Sequence, residues 1–492
     1  MLALYNHPML FNSTQAFANR LESIGELKRI KTEVDPVLEI TEIADRVMKA
    51  KGPALLFENV KGSKFPLAIN LLGSEKRMAL SWGVKDIEEV AKRIEELFNI
   101  SPPQGWLDKL KMLPTLGNLA KILPKHVTNA PCQEVVKTGD QVKLSELPVI
   151  QCWPDDGGKY ITLGQVFTRS LKTGRLNTGM YRVQIVDDQN AFMHWHVHHD
   201  GARHSHEYKQ EHKRMEVAVA LGGDPVMTYA ASAPLPPEVE EVLLAGFIRQ
   251  QGVELVKCKT VDIDVPANAD FVLEGYLDLE NLGLEGPFGD HTGFYSLADY
   301  YPKFHVTAIT HRKDAVYPTT IVGKPPMEDL YMGKATERIF LPMLKTMVPE
   351  IVDMNFPVFG VFHNCVFVSI NKTYPHQAKT VMNKLWGLGQ MMFTKMIVVF
   401  DKEVDVQDEQ DCLWRLTANT DPKRDYLISE GAVDVLDHSA SQFIFGSKVG
   451  IDATIKWKEE GFTREWPEVV RMSQEVKKID KMWMKLRIIG KE

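Results

Sequence analysis

The sequence predicts a mixed α/β protein of three parts, in which an α/β domain lies at each end of a β-rich domain. Its 492 residues are too many for a single hydrophobic core. Residues 14–98 alternate between helical and strand periodicity. From about Gln133 the apolar period changes to two, and beyond Pro325 helices and buried strands alternate again. We therefore expect three domains, at 1–125, 126–325 and 326–492.

The N-terminal domain is predicted from amphipathic segments and short apolar runs. The expected elements are helices at 14–29, 36–49 and 86–98 and strands at 54–60 and 66–72. Asp35 is the expected N-cap of the second helix, with Pro36 at its first position. The proline-rich residues 101–131 are predicted to form a linker or a covering arm.

The two remaining domains differ in their strand connections. Alternating apolar residues predict middle-domain strands at 180–186, 192–198, 217–223 and 303–310, with one helix at 238–250. A barrel is the simplest arrangement for so many short strands. The C-terminal domain is predicted to contain a βαβ unit and a terminal helix. These elements are strands at 364–370 and 396–401, a helix at 376–395 between them and the last helix at 466–486.

Composition excludes several classes of function. A formal net charge of −7 argues against general nucleic-acid binding, which needs a basic face. No stretch approaches the ~20 consecutive apolar residues of a membrane-spanning helix. The N-terminus also lacks the features of a secretory signal. The five cysteines are far apart and form no CxxC pair, which argues against disulfides and a thiolate zinc site. The expected compartment is the cytoplasm.

Histidines are concentrated in one short segment, where six of the 15 lie between positions 194 and 206. On a strand, the side chains of His194, His196 and His198 would share one face. Such a face indicates a ligand or metal site, and a solvated polar strand is the alternative. The spacing also partly matches metallo-β-lactamase-type and histidine-triad hydrolases. A zinc hydrolase that activates water is therefore a competing hypothesis.

An acidic loop, residues 284–293, carries the second candidate site. Glu285 and Asp290 are separated by glycines and a proline, which favour tight backbone geometry. Two neighbouring carboxylates are expected to have pKa values pushed apart, so that one keeps a proton to donate. A simple turn is the alternative. Upstream, Asn177 offers an amide oxygen for a hard cation and Arg182 a fork for a phosphate or carboxylate.

Together these segments resemble the UbiD family of prenylated-flavin-dependent decarboxylases. The resemblance extends over nearly the whole chain, and its most specific blocks are EGPFGDHTG at 285–293 and GSKVGIDATIKW at 446–457. Further matching segments lie at 25–46, 52–62, 130–136, 152–158, 177–182 and 221–226. The resemblance implies an N-terminal α/β domain, a flavin-reductase-like split β-barrel that binds prenylated FMN, and a C-terminal α/β domain that mediates homo-oligomerisation as a dimer or hexamer.

The resemblance also implies a set of site residues. A Mn²⁺ ion that tethers the flavin phosphate would be held by Asn177, His198 and Glu241. The implied cofactor contacts are Met180, Tyr181, Arg182, His194, Trp195, His196, His199, Asp200, Ser232, Ala233 and Pro234. The catalytic constellation falls on Glu285, Arg182 and Asp290. A K⁺ ion is a further candidate, and a UbiX-type flavin prenyltransferase would supply the cofactor.

Two details point to a substrate class. Asp290 stands where ferulate and cinnamate decarboxylases of the family have Glu, which favours the quinone-pathway branch. His194 and the His199–Asp200 pair depart from the ubiquinone enzymes and look more like the menaquinone-linked ones. The resemblance thus implies non-oxidative decarboxylation of an aromatic or quinoid hydroxy acid, with a catabolic hydroxybenzoate decarboxylase as the alternative. A prenylated substrate would bring peripheral membrane association.

Overall fold

The computed structural model describes residues 11–98, 117, 120–195, 200–236 and 239–477. Its helices are Thr14–Ser23, Glu39–Lys49, Glu75–Trp82, Glu88–Phe98, Asp200–Gln210, Pro225–Ala230, Glu241–Arg249, Asp329–Met347, Gln377–Trp386, Glu409–Asn419, Pro422–Asp425 and Gln474–Lys477. The predicted mixed α/β architecture in three parts is confirmed. Among the residues described, no helix is long and apolar enough to cross a bilayer.

A small sheet organises the N-terminal part. Its strands, in spatial order, are Leu27–Ile30, Ala54–Phe57, Leu67–Ile69 and Tyr317–Thr319. The last strand comes from far along the chain and pairs in parallel with the third. Because it joins an N-terminal sheet, the N-terminal and middle parts interlock, and two large apolar cores contain residues from both. The domain limits at 125 and 325 stay predictions.

The middle part is a curled nine-stranded sheet. Its path runs through Tyr160–Ile161, Val183–Ile185, Asn190–Met193, Asp299–His311, Phe271–Glu285, Met215–Leu221, Gln165–Arg169 and Leu176–Met180, and Val135–Thr138 adds to the strand Asp299–His311. Consecutive strands Leu176–Met180 and Val183–Ile185 thus lie near opposite ends of the path. Tyr181 and Arg182 join the two ends, which places Arg182 where the curled sheet nearly closes.

Two smaller sheets flank this barrel, and a larger sheet forms the C-terminal part. The flanking sheets are Lys125–Val127 with Glu254–Lys257 and Asp264–Pro266, and Phe288–Gly289 with Tyr295–Ser296. The C-terminal sheet has the order Ile351–Asn355, Cys365–Ile370, Met396–Asp401, Phe445–Asp452 and Tyr426–Ala432. Its second and third strands are parallel and joined by the helix Gln377–Trp386, which confirms the predicted βαβ unit. Two apolar cores belong to this part alone.

Several local predictions were wrong, and tertiary contacts explain two of them. The second helix begins at Glu39, not at Pro36, because Val37 forms a parallel bridge with Gln151 that holds the chain extended. Leu38, with φ 67°, is the N-cap and provides no side-chain cap. The single strand predicted at 180–186 is two strands that pair with different neighbours.

Three predicted helices are shorter than expected. The helix predicted at 14–29 ends at Ser23, because Leu27–Ile30 is a strand that pairs with Ala54–Phe57. The helix predicted at 376–395 ends at Trp386, where the Trp386 indole donates a hydrogen bond to the Thr394 carbonyl, 2.9 Å away, across a 3₁₀ turn. Residues 466–473 of the predicted terminal helix are irregular, and a helix begins only at Gln474. The remainder of that prediction, and most of the linker predicted at 101–131, lie outside the described residues.

Candidate active site

Arg182 is the centre of a buried charged cluster in the middle part. Its Nε and Nη2 atoms donate to the two oxygens of Glu285, at 2.8 and 3.1 Å. Its Nη1 atom donates to Oδ2 of Asp290 at 2.5 Å, and Nη2 also donates to the Ser296 hydroxyl at 3.1 Å. The guanidinium lies over the Phe288 ring, 4.7 Å from its centroid. Each guanidinium nitrogen therefore has a partner, which fixes the plane of the group.

His194 completes the cluster from the other side of Glu285. Its Nδ1 atom donates to Oε2 of Glu285 at 2.9 Å, and its ring packs against Tyr301 at 4.3 Å. The strand that leads to it ends at Met193, so the prediction of a strand over 192–198 is wrong at His194. The interaction with Glu285 places His194 beside the acidic loop, whereas His196, His198 and His199 lie outside the described residues.

The electrostatics of the two carboxylates differ from the sequence-based expectation. Burial alone would raise the pKa of Glu285, but hydrogen bonds from His194 and Arg182 lower it to about 2. Burial opposes ionisation of Asp290 as well, yet the neighbouring His291 and the charge of Arg182 hold its pKa well below the usual range. The predicted separation of the two pKa values is therefore wrong for this state, because one cation lies between the two acids.

The backbone of the acidic loop is held by a segment that sequence reasoning did not include among the site residues. Asp156 accepts hydrogen bonds from the backbone N–H groups of Cys152, Trp153 and Gly289, at 3.1, 2.8 and 2.8 Å. A side chain at Gly289 would meet Trp153, since a Cβ atom there would lie 2.1 Å from its ring. The match of residues 152–158 to the family was the available signal for this role.

The candidate metal ligands Asn177 and Glu241 are adjacent. Glu241 begins the helix Glu241–Arg249 and accepts a hydrogen bond from the backbone N–H of Thr178 at 2.8 Å, next to Asn177. Both side chains are buried, and Asn177 Nδ2 has no hydrogen-bond partner among the described residues. An amide and a carboxylate are donors that suit a hard divalent cation. These two residues therefore fit the expected metal, although the described part of the chain contains no group of three or more His, Cys, Asp or Glu side chains placed to hold a metal ion.

Some of the predicted cofactor contacts lie around the end of the strand Leu176–Met180. Met180 donates its backbone N–H to the Ala231 carbonyl at 2.8 Å, which places the 232–234 stretch beside it. Tyr181 and Trp195 are buried with ring centroids 4.8 Å apart, and the Tyr181 hydroxyl accepts from the Gly201 N–H at 3.3 Å. The indole N–H of Trp195 is buried with no hydrogen-bond partner in the described structure.

The other predicted cofactor contacts among the described residues are Ser232, Ala233, Pro234 and Asp200. Ser232 is exposed, and its hydroxyl donates to the Tyr229 carbonyl at 2.7 Å. Ala233 is buried and Pro234 partly buried. Asp200 begins the helix Asp200–Gln210. Their roles toward a cofactor stay predictions.

The arginine between two buried carboxylates is the candidate catalytic centre of an enzyme. Comparisons with known proteins identify the class to which the chain belongs. The chain matches the N-terminal domain of 3-octaprenyl-4-hydroxybenzoate carboxy-lyase at residues 18–97, its Rift-related domain at 125–325 and its C-terminal domain at 330–453. The chain belongs to the UbiD family of carboxy-lyases. Membership of this family gives no support to the zinc hydrolase hypothesis.

Relatives and solved structures match the chain over nearly its full length. An uncharacterized protein of Aquifex aeolicus (strain VF5) is 52% identical over 476 residues, covering 96% of this chain and 98% of the relative. The vanillic acid decarboxylase of Sedimentibacter hydroxybenzoicus, in closed form, has a TM-score of 0.83 at 27% identity, covering 98% of this chain and 100% of its own. The UbiD-class enzyme HmfF of Pelotomaculum thermopropionicum, in complex with FMN, has a TM-score of 0.81 at 27% identity. The match covers 96% of this chain and 99% of the HmfF chain. An evolved dimeric form of HmfF binds prFMN.

Proposed function

We propose that this protein decarboxylates an aromatic or quinoid hydroxy acid in quinone biosynthesis, with menaquinone as the favoured pathway. The proposal includes prenylated FMN as cofactor and Mn²⁺ or a similar divalent ion. The observation that carries it is the position of Arg182, whose fork is fixed by Glu285 and Asp290 where the curled sheet nearly closes. Family membership supports the reaction class, and the FMN and prFMN complexes of HmfF support the cofactor.

In this proposal each residue of the cluster has one task. Arg182 orients the carboxylate of the substrate through its positive charge and the one guanidinium N–H that Glu285, Asp290 and Ser296 leave over. Glu285 stays ionised and keeps Arg182 in place. Asp290 returns a proton to the carbon that loses CO₂, a general-acid step that typically contributes about 10²–10⁴-fold. The bound flavin supplies the electron sink that no amino acid side chain provides.

The residues proposed to hold the flavin phosphate and its metal are Asn177, His198 and Glu241. Asn177 and Glu241 fit this role because they are buried next to each other and both carry side-chain oxygen atoms. The backbone from Met180 to Arg182, the indole of Trp195 and the 232–234 stretch would contact the flavin. A K⁺ ion nearby, a UbiX-type prenyltransferase as supplier and a homo-oligomer (dimer or hexamer) complete the proposal. All five cysteines are free and buried, which is consistent with a cytoplasmic location.

The substrate class rests on two observations. Asp290, in place of Glu, favours the quinone-pathway branch. Leu284 in the acidic loop and Leu297 and Tyr300 after it are 54%, 89% and 64% exposed, which suits an acid with an apolar extension and contact with a membrane surface. The similarity to vanillic acid decarboxylase favours the alternative, a catabolic hydroxybenzoate decarboxylase.

Anaerobic incubation of the cofactor-loaded enzyme with a panel of hydroxybenzoates and dihydroxynaphthoates tests the proposal, with CO₂ release as the readout. We expect release from a bicyclic or prenylated acid. Asp290→Asn should retain flavin, measured by its absorption spectrum, while turnover falls by about two orders of magnitude or more. Release from simple hydroxybenzoates alone would replace the quinone assignment with the catabolic one. Normal turnover by Asp290→Asn would remove its role as the acid.

A further inference from the structure

A small cavity lies next to Asn177, at the end of the site where the metal is expected. Its volume is about 270 Å³, below the ~300–1,000 Å³ of pockets that hold a whole small-molecule ligand. A cavity of this size suits one group of a larger ligand. The polar residues that line it come from three separate segments, and they are Thr173, Arg175, Asn177, Arg203, His204 and Glu240.

Two helices begin at this cavity. Arg203 lies in the first turn of the helix Asp200–Gln210, and Glu240 is the N-cap of the helix Glu241–Arg249. Glu240 gives its helix no side-chain cap, and its carboxylate instead accepts a hydrogen bond from the Leu176 N–H at 3.1 Å. The N-terminal end of a helix carries a partial positive charge and N–H groups without intrahelical partners, and phosphate groups bind there. Two such ends at one cavity therefore favour an anion.

Asn177 provides an unpaired donor at the same place. The residue is only 8% exposed, and its Nδ2 atom has no hydrogen-bond partner within the described ranges. A buried donor without a partner is costly, so its presence indicates a ligand. An amide can also bind two ligands at once, since its oxygen suits a cation and its N–H group suits an anion. Asn177 is thus able to bind both a metal ion and the phosphate that the ion neutralises.

The charges at the cavity match a phosphate dianion. Arg175 and Arg203 add two positive charges, and Glu240 and the neighbouring Glu241 add two negative ones. These four side chains offset one another, so the divalent ion of the proposed function leaves an excess of two positive charges. A phosphate monoester carries a charge of about −1.5 to −2 near pH 7. Without the two arginines, the glutamates would cancel the charge of the ion and leave the phosphate without a counter-charge.

We propose that Arg175 and Arg203 complete a phosphate site, in which the phosphate monoester of the flavin binds these two arginines as well as the metal. The inference rests on the flavin and the metal of the proposed function, and it adds the residues that complete their charge balance. A guanidinium fork matches the geometry of phosphate oxygens. Both side chains are exposed, so their contribution depends on ionic strength. They bind the cofactor and take no part in the decarboxylation step.

A comparison of FMN with riboflavin tests this site without turnover, because riboflavin lacks only the phosphate. The flavin-free full-length protein, supplied with Mn²⁺, is titrated with each flavin by calorimetry at low ionic strength. Arg175→Gln and Arg203→Gln should each weaken FMN binding by about 10-fold, the size expected for a charge-assisted hydrogen bond. Riboflavin affinity should not change. Added salt should weaken FMN binding more in the wild type than in the double variant.

The control variant is Lys172→Gln. Lys172 is an exposed cation three positions before Arg175 and does not line the cavity. This variant should bind both flavins as the wild type does. A loss of FMN affinity equal to that of the arginine variants would mean a general effect of surface charge and would overturn the site.

Two further results would overturn the inference. Wild-type FMN affinity in both arginine variants would remove the arginines from the phosphate site and leave the assignment of Glu241 to the metal untouched. Equal weakening of FMN and riboflavin binding would show that the arginines act on the fold or on the flavin ring and not on the phosphate. The proposed function fails by a different result, the absence of CO₂ release from quinone-type acids, which these titrations do not measure.

Discussion

The arginine cluster and the proposed metal end of the site are built in different ways. Around Arg182, every guanidinium nitrogen has a hydrogen-bond partner and both carboxylates are ionised. At the metal end, by contrast, the buried side-chain N–H group of Asn177 has no hydrogen-bond partner in the described structure. The buried indole N–H of Trp195, a predicted flavin contact, has none either. Buried polar groups are normally paired, so unpaired ones require an explanation.

The difference suggests which part of the site the protein organises by itself. The arginine cluster is complete from protein groups alone, so its geometry should be fixed before substrate arrives. The metal end provides oxygen donors and one unpaired N–H group, so its arrangement should depend on what it binds. The following predictions test this comparison, from the largest expected effect to the smallest.

Replacement of Arg182 by methionine should have the largest effect. It leaves the buried carboxylates of Glu285 and Asp290 without their cation, and loss of one partner of a buried ion pair costs about 3–5 kcal/mol. The free energy of unfolding, from urea denaturation followed by tryptophan fluorescence, should fall by this amount, and turnover should be lost. Arg46→Met is the control, because it breaks an exposed ion pair with Glu42 that is worth about 0.5 kcal/mol or less. Equal losses in the two variants would contradict the preorganised cluster.

At the metal end, Glu241→Ala should lose metal and flavin together while the fold is retained. The flavin phosphate would lose the cation that neutralises it. Glu240→Ala is a matched control. Glu241 accepts a hydrogen bond from the backbone N–H of Thr178, and Glu240 accepts one from the backbone N–H of Leu176, 3.1 Å away on the same strand. Metal content by elemental analysis and flavin by absorbance decide the outcome. Full flavin occupancy in Glu241→Ala would remove Glu241 from the metal site.

The arginine cluster should also give the protein a characteristic acid sensitivity. The pKa of Glu285 is about 2, below its usual value of 4.5, so the folded state favours the ionised form. The resulting stability is fully present above about pH 4.5 and is lost as the pH falls through 2. The difference in Tm between the wild type and Glu285→Gln should therefore shrink from pH 5 to pH 2. Exposed Glu280→Gln is the control, and a constant difference for Glu285→Gln would show that its ionisation contributes nothing.

Ser296→Ala should have the smallest effect. It removes one of the four hydrogen bonds from Arg182 and leaves both carboxylate contacts intact. The expected loss is about 1 kcal/mol of stability, with kcat within about 10-fold of the wild type. A larger loss in kcat would mean that Ser296 does more than support the guanidinium.

Local residue patterns predicted much of the fold. Alternating apolar residues correctly indicated the strands found at Met215–Leu221 and Asp299–His311, and the βαβ unit was predicted for the same reason. Predictions failed where a distant contact overrides local preference. Pro36 does not begin a helix because Val37 pairs with Gln151, and the strand of His194 ends early beside Glu285.

By itself, the sequence determined the family, the three-part architecture and the residue types that take part in the chemistry, because these depend on motifs and on short-range periodicity. Only the tertiary structure decided that Arg182 lies between Glu285 and Asp290, over 100 positions away along the chain. It also decided that His291 meets His363 from another domain. The physical reason is that ionisation and proton affinity depend on burial and on neighbouring charges, and the folding of distant segments against each other sets both.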